Sequence, residues 1–149
     1  MSATMAYSKS FFNKDDLIEF ADRYLALLPA DVTVLLSSGS SGCAIATAMI
    51  IRSRKKLAHV YIKKDGENSH KSSSGVWPTI KVAAIVDDFI EDGNTIRHIY
   101  NRSDLKFHVT PKYVLVHNCN SDYNEIWTHG GILDGLLDGP KLILIEEEE

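Results

Sequence analysis

The sequence has few of the residues that mark a secreted, metal-binding or membrane protein. It has only two cysteines, Cys43 and Cys119, and neither stands at a metal-ligand spacing. None of its six histidines is followed by another four residues later. No signal peptide is visible in the sequence, and no apolar run approaches the ~18 residues of a membrane span. We therefore expect a cytoplasmic protein with reduced cysteines, no structural metal and no membrane partner.

The chain also lacks an excess of positive charge. Its 149 residues carry a formal charge of −4, and the last four residues, 146–149, are all acidic. Without those four, 16 acidic residues face 16 basic ones, so the rest of the chain is near neutral. This balance gives no electrostatic case for nucleic acid binding. The length predicts a single domain over residues 1–149, and 44% apolar residues are enough for a sizeable core.

The most informative stretch is 82–95, where a buried strand, an acidic pair and a glycine turn follow one another. Five apolar residues at 82–86 predict a strand buried on both faces of a parallel sheet. Asp87 and Asp88 come where that strand should end, and an Asp-Gly-Asn-Thr turn then leads into a predicted helix at Ile96. This order describes the binding crevice of an open α/β sheet. The turn can present N–H groups to an anion, and the carboxylates can bind sugar hydroxyls or lie near a metal ion.

Two other protein classes place acidic residues after a buried strand. A receiver domain would need a phosphorylatable Asp and a Lys at the ends of later strands, whereas the later strands here lead into His117 and Glu146. An Asp-x-Asp phosphatase needs alternating acids, and Asp87 and Asp88 are adjacent. Because adjacent strand residues point to opposite faces, this pair can share one ligand only if the strand is already turning there. Solvated acids at a strand end are the remaining plain alternative.

The other elements alternate between strands and helices. Asn13 is predicted to cap a helix that Pro29 closes, and a second helix covers 43–51. The remaining strands are predicted at 32–36, 58–62, 113–117 and 142–145, with a short returning strand at 76–77. This order predicts a three-layer α/β/α fold with a mostly parallel, Rossmann-like sheet. We expect ligand at the carboxyl ends of the 32–36 and 82–86 strands, where the strand order reverses.

Two loops between these elements have a composition suited to binding. The segment 37–42 is Ser-Ser-Gly-Ser-Ser-Gly, which lacks the Gly-Lys-Ser/Thr ending of a P-loop and is too sparse in glycine for a dinucleotide fingerprint. Between a buried strand and an apolar helix, such a loop favours anion binding through N–H groups and hydroxyls over a flexible linker. The segment 63–75 is long and polar, with three lysines and His70. Loops of this length are functional or mobile, although composition alone equally allows a disordered hairpin tip.

The 82–95 stretch resembles the phosphoribosyl-diphosphate signature of the type I phosphoribosyltransferases. That signature is a hydrophobic strand, two acids, two hydrophobic residues, two variable residues, Gly, any residue, and Thr or Ser. The chain matches it over the strand, the acids, Gly93 and Thr95. It departs at Phe89, where a smaller aliphatic residue is usual, and at Asp92, where a hydroxyl residue is usual.

The resemblance covers about residues 32–145 and implies an activity. In that family a 5-phosphoribosyl group passes from phosphoribosyl diphosphate to a nitrogen base, and pyrophosphate is released. The resemblance implies that Mg²⁺ enters with the substrate, near Asp87 and Asp88, without direct protein ligands. A minimal hood from the amino-terminal segment or from 118–140 would select the base. We also expect a homodimer.

The resemblance further implies a role for individual residues. The expected catalytic set is Asp87 and Asp88, which hold the ribose hydroxyls, with Glu91 as general acid or base and Lys64. The expected pyrophosphate ligands are Ser37, Ser38, Gly39, Ser40 and Ser41, with Lys63, Lys64 and His70 from a mobile loop. The expected 5′-phosphate ligands are Asp92, Gly93, Asn94 and Thr95. Trp127 is either a stacking partner for the base or a plain packing residue.

Two alternative functions stay open at this point. One is a non-catalytic relative that binds a nucleotide as a regulator, and the other is an interaction domain with a vestigial site. The chain is short for the family, and Asp92 places a negative charge in the turn expected to bind phosphate. Three arrangements would accommodate that charge: a side chain turned outward, a bridging cation, or a ligand without phosphate there.

Overall fold

The computed structural model of the chain describes residues 13–64, 73–90, 93–117 and 140–146. Its helices are α1 (Lys14–Leu27), α2 (Ser40–Arg52) and α3 (Asn94–Phe107). Its strands are β1 (Val34–Ser37), β2 (Ala58–Ile62), β3 (Ser73–Ser74), β4 (Ala83–Val86), β5 (Tyr113–His117) and β6 (Lys141–Ile145). None of the helices in the described ranges is long and apolar enough to cross a membrane.

The strands form one sheet in the order β3-β2-β1-β4-β5-β6. Five of them, β2, β1, β4, β5 and β6, run parallel, and β3 pairs antiparallel with β2 at the edge. The chain leaves β1 toward β2 on one side and returns to β4 on the other. The carboxyl ends of β1 and β4 are therefore the point where the strand order reverses. The predicted fold class is confirmed, and so is the predicted reversal of strand order between the two strands that correspond to β1 and β4.

Helices cover both faces of the sheet, which gives the molecule its three layers. Alternate residues of β1 point to opposite sides, so Val34 and Leu36 join the core beneath α3, whereas Leu35 joins the core beneath α1 and α2. The residues of β1 and β4 are all buried. Their continuous apolar runs are therefore explained by helices on both sides.

The start and end of α1 follow the predicted signals. Asn13 Oδ1 accepts hydrogen bonds from the N–H groups of Asp15, at 3.0 Å, and Asp16, at 3.3 Å. The two acids also lie in the first turn, where the helix dipole favours negative charge. The helix ends at Leu27, two residues before Pro29. Phe20, Ala21 and Tyr24 face the sheet, as their helical spacing predicts.

Several predicted boundaries are wrong. Strand β1 is Val34–Ser37 and not 32–36, and α3 begins at Asn94 and not at Ile96. Two further differences have a visible cause in a glycine. Helix α2 begins at Ser40 and not at Cys43, because Gly39, with φ of 88°, turns the chain directly from β1 into the helix. The returning strand is Ser73–Ser74 and not 76–77. Gly75 has a φ of 117°, which ends the pairing with β2, and Val76 beyond it is 83% exposed. The chain therefore reverses earlier than its apolar residues suggested.

Candidate active site

A polar pocket of about 240 Å³ opens at the carboxyl ends of β1 and β4. Four segments contribute to it: the chain from the end of β1 into α2, the chain after β2, the chain after β4, and the start of α3. The residues that line it are Ser38, Gly39, Ser40, Ser41, Lys64, Asp87, Asp88, Phe89, Ile90, Gly93, Thr95 and Ile96. The pocket thus lies where the sheet topology places a binding crevice.

The adjacent carboxylates Asp87 and Asp88 both line this pocket. They can do so because β4 ends at Val86 and the chain bends at Asp88. Asp87 Oδ1 accepts a hydrogen bond of 2.9 Å from the N–H of Asp88, which holds the bend. The strand is therefore already turning at the acidic pair, as a shared ligand requires.

Three hydrogen bonds fix the main chain of the acidic pair. The Tyr24 hydroxyl of α1 donates to the carbonyl oxygen of Asp87 at 2.8 Å. The N–H of His117 donates to the carbonyl oxygen of Asp88 at 2.8 Å. The N–H of Asp87 donates to the carbonyl oxygen of Leu115 at 3.1 Å. The side chains of the pair are thus presented from a backbone that α1 and β5 hold on two sides.

The acidic pair is buried, which makes its charge costly. Asp87 and Asp88 are each only 8% exposed. Burial raises the pKa of the Asp87 carboxyl well above its ordinary value, the neighbouring Asp88 raises it further, and the charge of Lys64 acts in the opposite direction. Asp88 Oδ2 is buried and has no hydrogen-bond partner among the described residues. A cation or a hydroxyl donor in the pocket would stabilise this pair.

The anion loop, which we define as Ser38–Ser41, forms the opposite wall of the pocket. Gly39 caps α2 without any side-chain hydrogen bond to the first turn. The Ser38 hydroxyl is buried and has no partner among the described residues. Lys64 Nζ lies 3.3 Å from the position that a Cβ on Gly39 would take, so its charge lies directly above the loop. The first turn of a helix, a buried hydroxyl and a cation together suit an anion.

A close backbone contact brings the anion loop to the acidic pair. A Cβ on Gly42 would lie 2.8 Å from the carbonyl oxygen of Val86 and 3.4 Å from Asp87 Oδ1. Real Cβ atoms do not approach this closely, so only glycine allows the first turn of α2 to pack against the end of β4. Gly42 therefore sets the width of the pocket between loop and acids.

The start of α3 supplies a second helix amino terminus to the same pocket. Gly93, with φ of 85°, caps α3, and its carbonyl oxygen accepts the first helical bond, from the N–H of Arg97 at 2.9 Å. As in α2, no side chain caps the helix. The positive ends of two helix dipoles therefore converge on one pocket with two carboxylates between them. This arrangement suits a ligand with two anionic groups joined by a hydroxylated centre.

Most of the predicted site residues in the described ranges come together in the pocket, but three do not. Ser37, Lys63 and Asn94 are absent from its lining. Ser37 is the last residue of β1 and fully buried, and its Oγ lies 2.6 Å from His59 Nε2. The carbonyl oxygen of Lys63 is bonded to the ring of His98 at 2.8 Å. Because Ser37 is still within the strand, it cannot reach a ligand that lies beyond the strand end.

Other predicted positions lie outside the described residues. These are Glu91, Asp92, His70 and Trp127, the central part of the 63–75 loop at 65–72, and the expected hood at 1–12 and 118–139. Their roles stay predictions. Conversely, Phe89, Ile90 and Ile96 line the pocket although no role was predicted for them. Phe89 and Ile90 lie within the 82–95 motif and Ile96 directly follows it, which was the available signal.

Solved structures of phosphoribosyltransferases are similar to this chain. Orotate phosphoribosyltransferase from Francisella tularensis aligns with 91% of this chain and 68% of its own, at a TM-score of 0.66 and 18% identity. A phosphoribosyltransferase from Corynebacterium diphtheriae aligns with 93% of this chain and 82% of its own, at a TM-score of 0.68 and 13% identity. Orotate phosphoribosyltransferase from Mycobacterium tuberculosis was solved in complex with 5-phospho-α-D-ribosyl 1-diphosphate. It aligns with 92% of this chain and 76% of its own, at a TM-score of 0.65 and 12% identity.

The likeness to these enzymes is one of structure. Neither a protein-family model nor a curated protein sequence matches the chain. The identities of 12–18% show a shared fold, which is that of the type I phosphoribosyltransferases. A shared fold does not determine function, which depends on the residues of this chain's own pocket.

Proposed function

We propose that the chain transfers a 5-phosphoribosyl group from phosphoribosyl diphosphate to a nitrogen base and releases pyrophosphate. The observation that carries the proposal is the convergence of two uncapped helix amino termini and a buried acidic pair on one pocket. Phosphoribosyl diphosphate has a phosphate at one end, a diphosphate at the other, and a ribose with two hydroxyls between them. Its groups therefore match the two helix ends and the carboxylates in kind and in order.

The residues of the pocket have distinct parts in the proposed reaction. The bond between ribose C1 and the diphosphate oxygen breaks, its electron pair leaves with pyrophosphate, and a base nitrogen forms the new bond to C1. The anion loop and Lys64 would stabilise the negative charge that grows on the leaving group. Asp87 and Asp88 would hold the ribose hydroxyls and lie near the positive charge that grows on the ring. Gly93 and Thr95 would bind the 5′-phosphate.

The acidic pair also fits the divalent cation expected with the substrate. Asp88 Oδ2 is a buried oxygen without a partner among the described residues, and burial beside Asp88 raises the pKa of Asp87. Mg²⁺ is commonly bound by one or two carboxylates together with substrate phosphate oxygens. When bound, it would neutralise charge on the leaving pyrophosphate. Asp87 and Asp88 would lie near the cation without being its direct ligands, and the substrate would bind it.

Proton transfer from the base is assigned to Glu91. This role rests on the resemblance, in which an acidic residue at this position faces a purine nitrogen. A base nitrogen that attacks C1 must lose its proton, and a carboxylate can accept it. The acceptor base, the homodimer and the cytoplasmic location stay predictions.

Calorimetry with phosphoribosyl diphosphate and MgCl₂ tests the proposal. We expect saturable binding, and pyrophosphate release with at least one base from a panel of purines, pyrimidines and orotate. Magnesium ATP, a polyphosphate without an exposed 5-phosphoribosyl group, serves as the control ligand and should bind more weakly. Absence of binding would refute the proposal. Binding without turnover of any base would favour the nucleotide-sensing alternative.

A further inference from the structure

Strand β2 carries two polar side chains directly beneath the anion loop. Val60 and Ile62 belong to the core on the α3 side. Because successive strand residues point to opposite faces, His59 and Tyr61 point to the other side, where α2 lies. Neither of them is among the residues that line the pocket.

Both side chains reach forward along the sheet, His59 to the last residue of β1 and Tyr61 to the segment that follows β1. In the parallel ladder, His59 lies opposite Leu35 and Tyr61 lies opposite Ser37. His59 Nε2 nevertheless lies 2.6 Å from Ser37 Oγ, and the Tyr61 hydroxyl accepts a bond of 3.3 Å from the N–H of Gly39. Each side chain thus bonds a residue two positions beyond its neighbour in the ladder.

These two bonds determine which polar groups face the pocket. The Ser37 hydroxyl is fully buried and is held by His59, so it is not available to a ligand. The N–H of Gly39 is directed to Tyr61, which fixes the orientation of the peptide between Ser38 and Gly39. With that peptide fixed, the Ser38 hydroxyl lines the pocket with no partner among the described residues.

The ionisation of His59 is consistent with a role as a neutral anchor. Burial lowers the pKa of the His59 imidazole below its ordinary value. A neutral imidazole has one nitrogen that donates and one that accepts, so it can bond the Ser37 hydroxyl without adding charge beneath the loop. The cation of the site is then Lys64 alone among the residues that line the pocket.

We propose that His59 and Tyr61 are positioning residues that hold the anion loop in the conformation that binds the pyrophosphate part of the substrate. The proposal rests on the proposed function, because it assigns pyrophosphate to this loop. It goes beyond that function because it assigns part of the affinity for pyrophosphate to two residues of β2 that do not line the pocket. Removing either bond should loosen the loop and leave the phosphate end of the site at α3 unaffected.

Two ligands and matched variants separate these effects. Calorimetry would measure the affinity for magnesium pyrophosphate, which needs the anion loop, and for ribose 5-phosphate, which needs the start of α3. We expect Tyr61→Phe and His59→Leu each to weaken pyrophosphate about fivefold, the equivalent of one hydrogen bond. Ribose 5-phosphate affinity should change less than about twofold. His59→Gln, which keeps a polar group near Ser37, should recover part of the loss.

Tyr113→Phe is the matched control. It removes a tyrosine hydroxyl from another strand of the sheet, where it donates to Asp31 at 3.0 Å, at the opposite end from the pocket. Both affinities should stay at the wild-type level. If His59→Leu does not fold, Tyr61→Phe carries the test alone, because it removes a single oxygen atom.

The possible outcomes distinguish this inference from the proposed function. If the wild type binds both ligands and the variants lose affinity for both in parallel, the two residues serve general stability and the inference is wrong. Unchanged pyrophosphate affinity in Tyr61→Phe and His59→Leu would also overturn it. A wild type that binds neither ligand would refute the proposed function, and the inference with it.

Discussion

Polar groups at the two ends of the parallel sheet differ in their burial and in their hydrogen bonding. At the carboxyl end, Asp87, Asp88 and Ser38 are each less than a tenth exposed. Asp88 Oδ2 and the Ser38 hydroxyl have no partner in the part of the chain that the structure describes. Burying polar groups without hydrogen bonds costs on the order of 1–3 kcal/mol each. The unpartnered polar groups at this end therefore lower the stability of the folded chain.

At the amino end, the charged groups are exposed and paired. Arg52 bonds Asp22 at 2.9 and 3.0 Å, and both side chains are 46% exposed. Lys55 Nζ donates to the carbonyl oxygens of Ala30 at 3.0 Å and Val32 at 2.6 Å. Lys55 thus satisfies two carbonyl oxygens of the loop after α1, and the Arg52–Asp22 pair stays about half exposed to solvent.

The contrast indicates where a ligand belongs. A buried group without a partner is retained where a ligand supplies the partner, whereas a structural polar group is satisfied within the chain. Two groups outside the pocket depart from this rule, since Trp77 Nε1 and the Ser103 hydroxyl are also buried without a partner in the described ranges. Both are uncharged, and the Trp77 ring is in contact with Phe107. Within the described ranges, only the carboxyl end combines unpartnered groups with charge and two helix amino termini.

The largest expected effect comes from neutralising the acidic pair. The double substitution Asp87→Asn and Asp88→Asn should cost about 1.5–3 kcal/mol for each charged hydrogen bond lost to the ribose hydroxyls. Affinity for phosphoribosyl diphosphate should then fall at least about a hundredfold, as calorimetry would measure. Asp22→Asn, at the other end of the sheet, is the control and should leave affinity unchanged. Equal affinity in the double variant and the wild type would remove the acidic pair from the site.

The next effect concerns the contact between the anion loop and β4. Gly42→Ala places a Cβ 2.8 Å from the carbonyl oxygen of Val86, so the first turn of α2 must move away. We expect a loss of about 1–3 kcal/mol in the free energy of unfolding, measured by urea denaturation, together with weaker substrate binding. Thr47→Ala, an exposed position of the same helix, is the control and should not destabilise. If both variants are equally stable, the contact at Gly42 is not tight.

A smaller effect should be visible in the pH dependence of stability. The pKa of Asp87 is raised in the folded state from its ordinary value of 3.8, so the folded chain holds this proton more tightly than the unfolded chain. Stability from this group is present below pH 3.8 and is lost as the pH rises to the raised pKa, by at most about 1.4 kcal/mol per pH unit. Asp87→Asn removes this loss and keeps an oxygen that can accept from the N–H of Asp88.

Urea denaturation of wild type and Asp87→Asn over a range of pH measures this difference. The variant should be the more stable of the two at neutral pH without ligand, and the gap should close toward pH 3.8. Subtracting the two curves removes the contribution of His59, whose lowered pKa acts in both proteins. A wild type that is as stable as the variant at neutral pH would show that the buried pair carries no cost.

The smallest effect is expected at the amino end. Arg52→Ala removes an ion pair in which both side chains are about half exposed, and solvent screens such pairs. We expect no resolvable change in the free energy of unfolding or in substrate affinity. A loss comparable to that of Gly42→Ala would mean that the two ends of the sheet do not differ as described.

Much of the fold follows from local patterns. Strands β2 and β5 have the bounds predicted from their apolar and β-branched runs, and α1 begins where Asn13 predicts. The paired acids at the end of β4 predicted the position of the pocket. In each case the sequence pattern lies within a few residues of the element or site that it predicts. The local spacing of residues was therefore sufficient for the prediction.

The sequence by itself therefore determined the order of the elements and the position of the acids after β4, although it placed the start of α2 three residues too late. Only the tertiary structure decided that Ser37 bonds His59 and not a ligand, that Tyr24 fixes the backbone of Asp87, and that Gly42 touches Val86. The bonding partners are 22 and 63 residues apart in the first two of these contacts. Such pairs depend on strand order and register, which place residues of different elements side by side. No local spacing records which polar groups will find a partner and which are left for a ligand.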